Sequence, residues 1–426
     1  MYNLIAICLS VLSAVLAVRW IYFKILKLAK EKGLVDNPDA RKLQKTPIPV
    51  LGGLAVMFGV IFGVLTGGAM LFTLNEAITG TAIPLSHLLP VALAIFAMLY
   101  VGALDDIIGV VPKTRFVIEI LVILGLIYGT GICIDTFHGM WGVDELSWWA
   151  AVPLTVVAGV GIINAINMVD GVNGLSSGLC ITYCALFGLL FYDMDDIPNA
   201  LLSFCMGAAL FPFFVHNVFG DRSRMFVGDA GTMVMGILMT WFVMTAVNRG
   251  GVCLANGNEA CAIAMVVAIL SVPVADTLRV MTLRMIRGRS PFSPDKTHLH
   301  HAFVALGISH SITALSIIMI NLTVVAVWYL TVLLGAPLEC QLYTVVIVAA
   351  VLVWGTYVFL EHESRSVSRK AMWLKANSIK THLGKTEWWQ RFSYFLDAPE
   401  MSEHEREDLR KKMENKFGNR YWKCRK

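Results

Sequence analysis

Leu88-Leu-Pro-Val-Ala-Leu-Ala-Ile-Phe-Ala-Met-Leu-Tyr-Val-Gly-Ala-Leu104 is an uncharged run of seventeen residues that leads directly into Asp105-Asp106. About twenty apolar residues cross the hydrocarbon of a bilayer. The stretch therefore reads as a transmembrane helix that delivers two adjacent carboxylates to a membrane boundary. A charged Asp at a helix centre costs roughly 2.5–3.5 kcal/mol on insertion scales. Acids are kept near membranes where they bind cations or move substrate.

Working outward, ten more windows of the same kind recur, near 3–23, 50–72, 116–133, 149–166, 175–192, 199–216, 231–248, 260–280, 311–334 and 341–360. The 426-residue chain is 57% hydrophobic and 15% charged, with mean hydropathy +0.69. Soluble domains carry nearer a quarter charged residues. The expected fold is all-α, a polytopic integral membrane protein of about eleven transmembrane helices, with no strand pattern. The first window lacks a basic segment before it and is followed by Lys24, Lys27, Lys30 and Lys32, as in a retained span.

Loop charge orients the chain. Loops 24–49, 105–115, 217–230 and 279–301 hold seven, two, two and five Lys/Arg, and the tail beyond 360 holds sixteen. The alternate loops together hold one, Arg249. Basic residues favour the cytoplasmic side, which predicts the N-terminus outside and the C-terminus cytoplasmic. Two regions follow: a multi-span domain over 1–361, with its polar site at the cytoplasmic face, and a basic, aromatic tail over 362–426. In the tail Trp373, Trp388, Trp389, Phe392, Tyr394 and Phe395 alternate with Lys370, Lys375, Lys380, Lys385 and Arg391. That mixture suits the inner headgroup layer better than nucleic acid. Ser402 with Glu405 reads as a capping box opening a polar helix to about Lys416.

Three further polar motifs fall on the same side as Asp105-Asp106. Asn164, Asn167, Asp170 and Asn173 recur every three residues, the spacing of one helix face. Phe226-Val-Gly228-Asp229-Ala-Gly231 opens the eighth window, where a carboxylate suits Mg²⁺, free N–H groups suit phosphate, and Phe226 suits a base. Ser290-Pro-Phe-Ser-Pro-Asp-Lys-Thr-His298-Leu-His300-His301 follows Arg279, Arg284, Arg287 and Arg289. Arginine and histidine suit diphosphate oxygens. Each motif has a plainer reading as a helix cap, a polar contact between helices or a solvated loop. Four of them on one face point instead to a composite site for phosphoryl transfer, and no P-loop occurs. Nine cysteines form no CxxC pair, so neither a zinc site nor a disulfide framework is expected.

With these residues in view, the chain resembles the polyprenyl-phosphate N-acetylhexosamine-1-phosphate transferase family, from about residue 36 to 305. Pro49-Val-Leu51-Gly52-Gly53 is similar to an early segment of that family. His298-Leu-His300-His301 resembles the bacterial branch that uses N-acetylglucosamine; the UDP-MurNAc-pentapeptide branch carries three contiguous histidines. The resemblance implies that Asp229 binds Mg²⁺ (or Mn²⁺), supported by Asp106. It implies that Asp105 is a base or phosphate-activating group. Asn164, Asn167 and Asp170 would line the uridine and diphosphate, with Phe226 against uracil. Arg284, His298, His300 and His301 would hold the diphosphate and sugar. Implied partners are a UDP-N-acetylhexosamine, a polyprenyl phosphate and the bacterial cytoplasmic (inner) membrane; a homodimer is compatible and nucleic acid is not expected. One departure is Asn173, where the family often has a second Asp.

Two other classes share single features. An intramembrane aspartyl protease pairs Tyr-Asp with Gly-x-Gly-Asp, and Tyr192-Asp193 with Gly228-Asp229 matches in part. However, position 226 is Phe and Asp193 falls on the outer side. A transporter would place its acids near mid-membrane, whereas these lie at helix ends.

Overall fold

A backbone in hydrocarbon must satisfy its own N–H and C=O groups, so each apolar window becomes a helix. The computed structural model describes residues 2–37, 46–79, 88–250, 252–253, 259–291, 297–365 and 386–417. Its helices are α1 (Tyr2–Glu31), α2 (Gly52–Thr79), α3 (Leu88–Ile108), α4 (Pro112–Thr130), α5 (Trp148–Val169), α6 (Leu175–Asp193), α7 (Ile197–Phe219), α8 (Gly228–Arg249), α9 (Ala262–Ile269), α10 (Ser271–Ile286), α11 (Leu299–Ala305), α12 (His310–Leu333) and α13 (Leu338–Arg365). After 386 come α14 (Glu387–Asp397) and α15 (Glu403–Phe417). Lys370, Trp373, Lys375, Lys380 and Lys385 of the expected headgroup segment lie outside the described residues.

Among the described residues nine helices are long and apolar enough to cross a membrane. α9 and α10, bent by 76° at a short break, count as a tenth when taken together. The remaining window is α4, which carries Lys113, Arg115 and Glu119 in its first eight residues. The chain is thus all-helical and polytopic, as its sequence implies. The ninth window, read as unbroken, is broken at Leu270, three residues before Pro273, which has no N–H to continue the ladder. Asn321, wholly buried on α12, repairs the gap. Its Nδ2 donates to Ile269 O at 2.9 Å, and its Oδ1 accepts from Val272 N and Ser271 Oγ, each at 3.3 Å.

α8 is the axis of the bundle. Every residue from Ala230 to Val247 is buried, as expected of a helix that is apolar all round. It packs on α2, α3, α5 and α9. The outer helices turn Leu93, Phe96, Leu121, Val157 and Val351 outward, a surface suited to lipid. Two short antiparallel ladders were not expected from sequence: β1 (Val35–Asp36) with β2 (Ile48–Pro49), and β3 (Val252–Cys253) with β4 (Glu259–Ala260). At two residues per strand they show no alternation for a sequence to display.

The two ends of the bundle are distinct. Lys30, at the end of α1, donates to Arg222 O between α7 and α8 and pairs with Glu400 after α14. The end of α1, the α7–α8 loop and the C-terminal segment therefore share one end, opposite Tyr2. At the far end Arg249 pairs with Asp196 and His138 bonds Val247 O. Asp193 closes α6 near that far end, whereas Asp229 opens α8 at the other. This separation removes the protease pairing.

Candidate active site

Asp106 sits in the last turn of α3 and accepts from the first free N–H groups of α8. Its Oδ1 takes Asp229 N at 2.8 Å and its Oδ2 takes Ala230 N at 3.0 Å. A carboxylate here satisfies orphan donors and the positive end of the helix. Gly228 has φ +72°, and a Cβ there would run into the Asp106 carboxylate. Glycine at 228 is what allows α3 to cap α8 so closely. Asp106, expected beside a metal, thus has a first task in holding Asp229 in place, and each oxygen keeps a further lone pair.

Asp229 and Asp105 then face one guanidinium. Arg115 Nη1 lies 3.2 Å from Asp229 Oδ1 and 3.3 Å from Asp105 Oδ2. Asp105 Oδ1 accepts Val110 N at 2.7 Å, closing the turn after α3. Asn167 Nδ2 donates to the same Asp229 oxygen and to Thr232 Oγ1. Arg115 is held from behind by Glu119, whose other oxygen accepts from Asn164 at 2.6 Å. The result is a continuous polar chain from Asn164 through Glu119 and Arg115 to both acids. Asn164, expected against the nucleotide, instead turns its amide to Glu119 and to Val160 O. Sequence reasoning missed Arg115 and Glu119. The signal was a cation and an acid four residues apart at the start of an apolar window.

Asp170 follows α5 and accepts from the Ser176 hydroxyl. Burial raises its carboxyl from 3.8 to about 6, with Ser176 opposing and the Asp229 charge adding to the rise. Asn173 donates its N–H to His310 Nδ1 at 3.4 Å.

The histidines form a second cluster on α11, and it reaches the first through Gly171, where a Cβ would stand 2.5 Å from His300 Nε2. His298 Nδ1 lies 3.0 Å from Asp276 Oδ2 on α10, and since a carboxylate only accepts, that nitrogen is the donor. Arg279 neutralises Asp276 at 2.6 Å, donates to Thr297 O and lies 3.7 Å above the Tyr357 ring. His300 stacks on His298 at 5.8 Å and packs 4.3 Å from His301, measured between ring centroids. Burial, reinforced by its histidine neighbours, holds its pKa well below the usual value. Burial thus disfavours the charged form of His300. Asp276 and Arg279 are the parts missing from the expected site list.

Two expected contacts are placed differently. Phe226 packs with Ala29, Val50 and Leu51, and its N–H donates to Pro49 O at 2.8 Å. That is a structural seat against the α1–α2 link where a uracil stack was expected. Arg284 is buried and donates to Pro291 O, closing the turn after α10. Residues 292–296 of the serine-proline run lie outside the described residues.

The donor set suits a hard cation. Two carboxylates already converge on one positive group, and Mg²⁺ ordinarily takes one or two carboxylates with waters and substrate phosphates. Among the described residues no group of three His, Cys, Asp or Glu forms a closed cage. The residues therefore fit a Mg²⁺ completed by substrate.

Residues 88–247 match the family model described as Glycosyl transferase family 4. The chain is 32% identical over 293 residues to an undecaprenyl-phosphate alpha-N-acetylglucosaminyl 1-phosphate transferase of Yersinia pestis, covering 67% of this chain and 74% of that one. It is 29% identical over 317 residues to a protein of that name from Escherichia coli K12, covering 72% and 79%. A probable undecaprenyl-phosphate N-acetylglucosaminyl 1-phosphate transferase of Bacillus subtilis strain 168 is 29% identical over 320 residues, covering 75% and 83%.

Proposed function

The chain belongs to glycosyl transferase family 4, the sugar-1-phosphate transferases of membranes, and on that premise we propose that it moves N-acetylglucosamine-1-phosphate from UDP-GlcNAc to undecaprenyl phosphate. The enzyme class and the membrane setting follow from the family and the helices. The observation that carries the reading is the convergence of Asp105 and Asp229 on the Arg115 guanidinium at the N-terminus of α8.

A phosphate oxygen of the lipid attacks the β-phosphorus of the nucleotide sugar. The bond from that phosphorus to the bridging oxygen breaks, and UMP leaves with the electron pair. Asp229, with Asp106 in support, would hold Mg²⁺, which when bound offsets negative charge on the diphosphate. Arg115 sits between the acids to bind phosphate oxygens, and Asn167 orients Asp229. Asp105 steers the attacking phosphate. Its oxygens accept from Val110 N and Arg115, which hold the carboxylate in place beside Asp229. Asp170 and His300, which meet at Gly171, line the nucleotide and sugar side. His298 and His301 stand beside His300 on that side, and Arg284 supports the turn after α10. Phe226 reaches the uracil only by the part of its ring that stays exposed.

The site faces the cytoplasm of a bacterial inner membrane in this reading, because the basic loops and tail share its end. The product would start a lipid-linked envelope glycan. The test is labelled UMP exchange by the purified protein. It should require both the polyprenyl phosphate and a divalent cation, and exchange that ignores the lipid would contradict the reading.

A further inference from the structure

The loop from Gly220 to Val227 must leave α7 and re-enter at α8 with Asp229 aimed between Asp105 and Asn167. Three sets of hydrogen bonds hold it. Nearest the site, Asp106 takes the N–H groups of Asp229 and Ala230. Next, Phe226 N donates to Pro49 O, while Gly52 N and Gly53 N donate to Phe226 O and Val227 O at 3.0 and 2.7 Å. The third set comes from the far C-terminal segment and involves one side chain.

That side chain is Asp397, the last residue of α14 and only 2% exposed. Its Oδ2 accepts from Asp221 N at 3.0 Å and Arg222 N at 3.1 Å. Its Oδ1 accepts from Ser223 N at 2.9 Å and Ser223 Oγ at 2.6 Å. Three successive backbone N–H groups converging on one carboxylate form an anion nest, here filled by the chain's own acid. Ser223 is itself wholly buried. Its carbonyl accepts Tyr22 Oη at 2.7 Å, and its hydroxyl lies 3.1 Å from His216 Nδ1. Around the nest, Phe219 packs on Trp389 and Phe392. The exposed pairs Lys30–Glu400 and Arg222–Glu405 lie outside it and contribute little.

We propose that Asp397 is a positioning residue for the transfer reaction. Through it the C-terminal segment fixes the α7–α8 loop and thereby Asp229, six residues beyond Ser223. The inference rests on the transfer reaction proposed above and adds the tail to its machinery. The four donors distinguish this role from packing. Asp397→Asn keeps the size of the side chain but turns one acceptor oxygen into an NH₂ that faces N–H groups. If Asp397 merely filled space, the amide would serve as well.

The test uses the full-length protein in lipid nanodiscs, comparing wild type with Asp397→Asn, Asp397→Ala and, as control, Glu400→Gln. Hydrogen exchange of amides 221–229 is read without substrate, and kcat and KM for UDP-GlcNAc are read separately. The proposal expects both Asp397 variants to exchange faster through to 229. It also expects them to lose at least about tenfold in kcat with less change in KM, because a misplaced group acts in the transition state. Glu400→Gln should stay within about twofold of wild type. Should Asp397→Ala fail to insert, Ser223→Ala removes one of the four donors and should give a smaller shift of the same sign. Wild-type kcat in Asp397→Asn, or faster exchange confined to 221–223, would overturn the proposal. A wild-type protein that turns over no nucleotide sugar would defeat the reaction assignment, while the exchange readout would still decide on the clamp.

Discussion

Asp229 and Asp105 both hold the Arg115 guanidinium, and Asp229 is also the proposed Mg²⁺ ligand, so a neutral amide at either should disable the site. Asp229→Asn and Asp105→Asn should each lower UMP release by about a hundredfold or more. Asp195→Asn should stay near wild type. Asp195 lies beyond α6 toward the far end with φ +56°, a conformation that Asn also adopts. Initial rates on purified, inserted proteins check all three. Asp170 makes a different prediction. Its carboxyl is raised from 3.8 to about 6 by burial, so the neutral form suits the fold. The stability this group contributes is fully present below 3.8 and is lost as pH rises through about 6. Asp170→Asn should therefore melt higher than wild type at pH 7.5 in detergent, and the gap should close below about pH 4. An equal gap at both pH values would refute the assignment. The acids were legible in the sequence because carboxylates at the ends of apolar runs stand out. Arg115 was not, since a cation near a boundary looks like a topology signal until Asp105, Glu119 and Asp229 are seen around it.

Helices were legible as windows, because hydrocarbon leaves the backbone no alternative. Their interruptions were not. The run through α9 and α10 is continuous in apolarity, and Pro273 alone does not break a span. The break becomes intelligible only when Asn321, some fifty residues later, is seen to take up its freed groups. Asp276, in that same window, was hidden too, because its tie to Arg279 and to His298 shows only in the folded chain. Arg279 is 1% exposed. Replacing it with Met leaves Asp276 buried without its guanidinium, and breaking such a pair costs about 3–5 kcal/mol. Arg279→Met should accordingly melt well below wild type, and adding Asp276→Asn should recover part of the loss. A single Arg279→Met variant that melts like wild type would show that the pair is not needed.

The whole molecule has a polar end and a plain end, and the order of helices places Tyr2 at the plain one. Loop charge assigns the polar end to the cytoplasm. In a background with all nine native cysteines replaced, an impermeant thiol reagent on intact cells should label Asp193→Cys and miss Asp221→Cys. The reverse pattern would invert the topology. The tail could be read only as a basic, aromatic segment. The Ser402–Glu405 capping box was visible and forms, with Ser402 N donating to Glu405 Oε2 at 3.0 Å. The seat of Asp397 was invisible, because it depends on a loop more than 170 residues away. The most direct measurement of the reaction is product analysis with undecaprenyl phosphate and a panel of labelled UDP-sugars. UDP-GlcNAc should give lipid-diphosphate-N-acetylglucosamine and UMP far faster than UDP-MurNAc-pentapeptide. Equal turnover of the pentapeptide substrate would contradict the sugar assignment, and no lipid product from any UDP-N-acetylhexosamine would contradict the transferase reading itself.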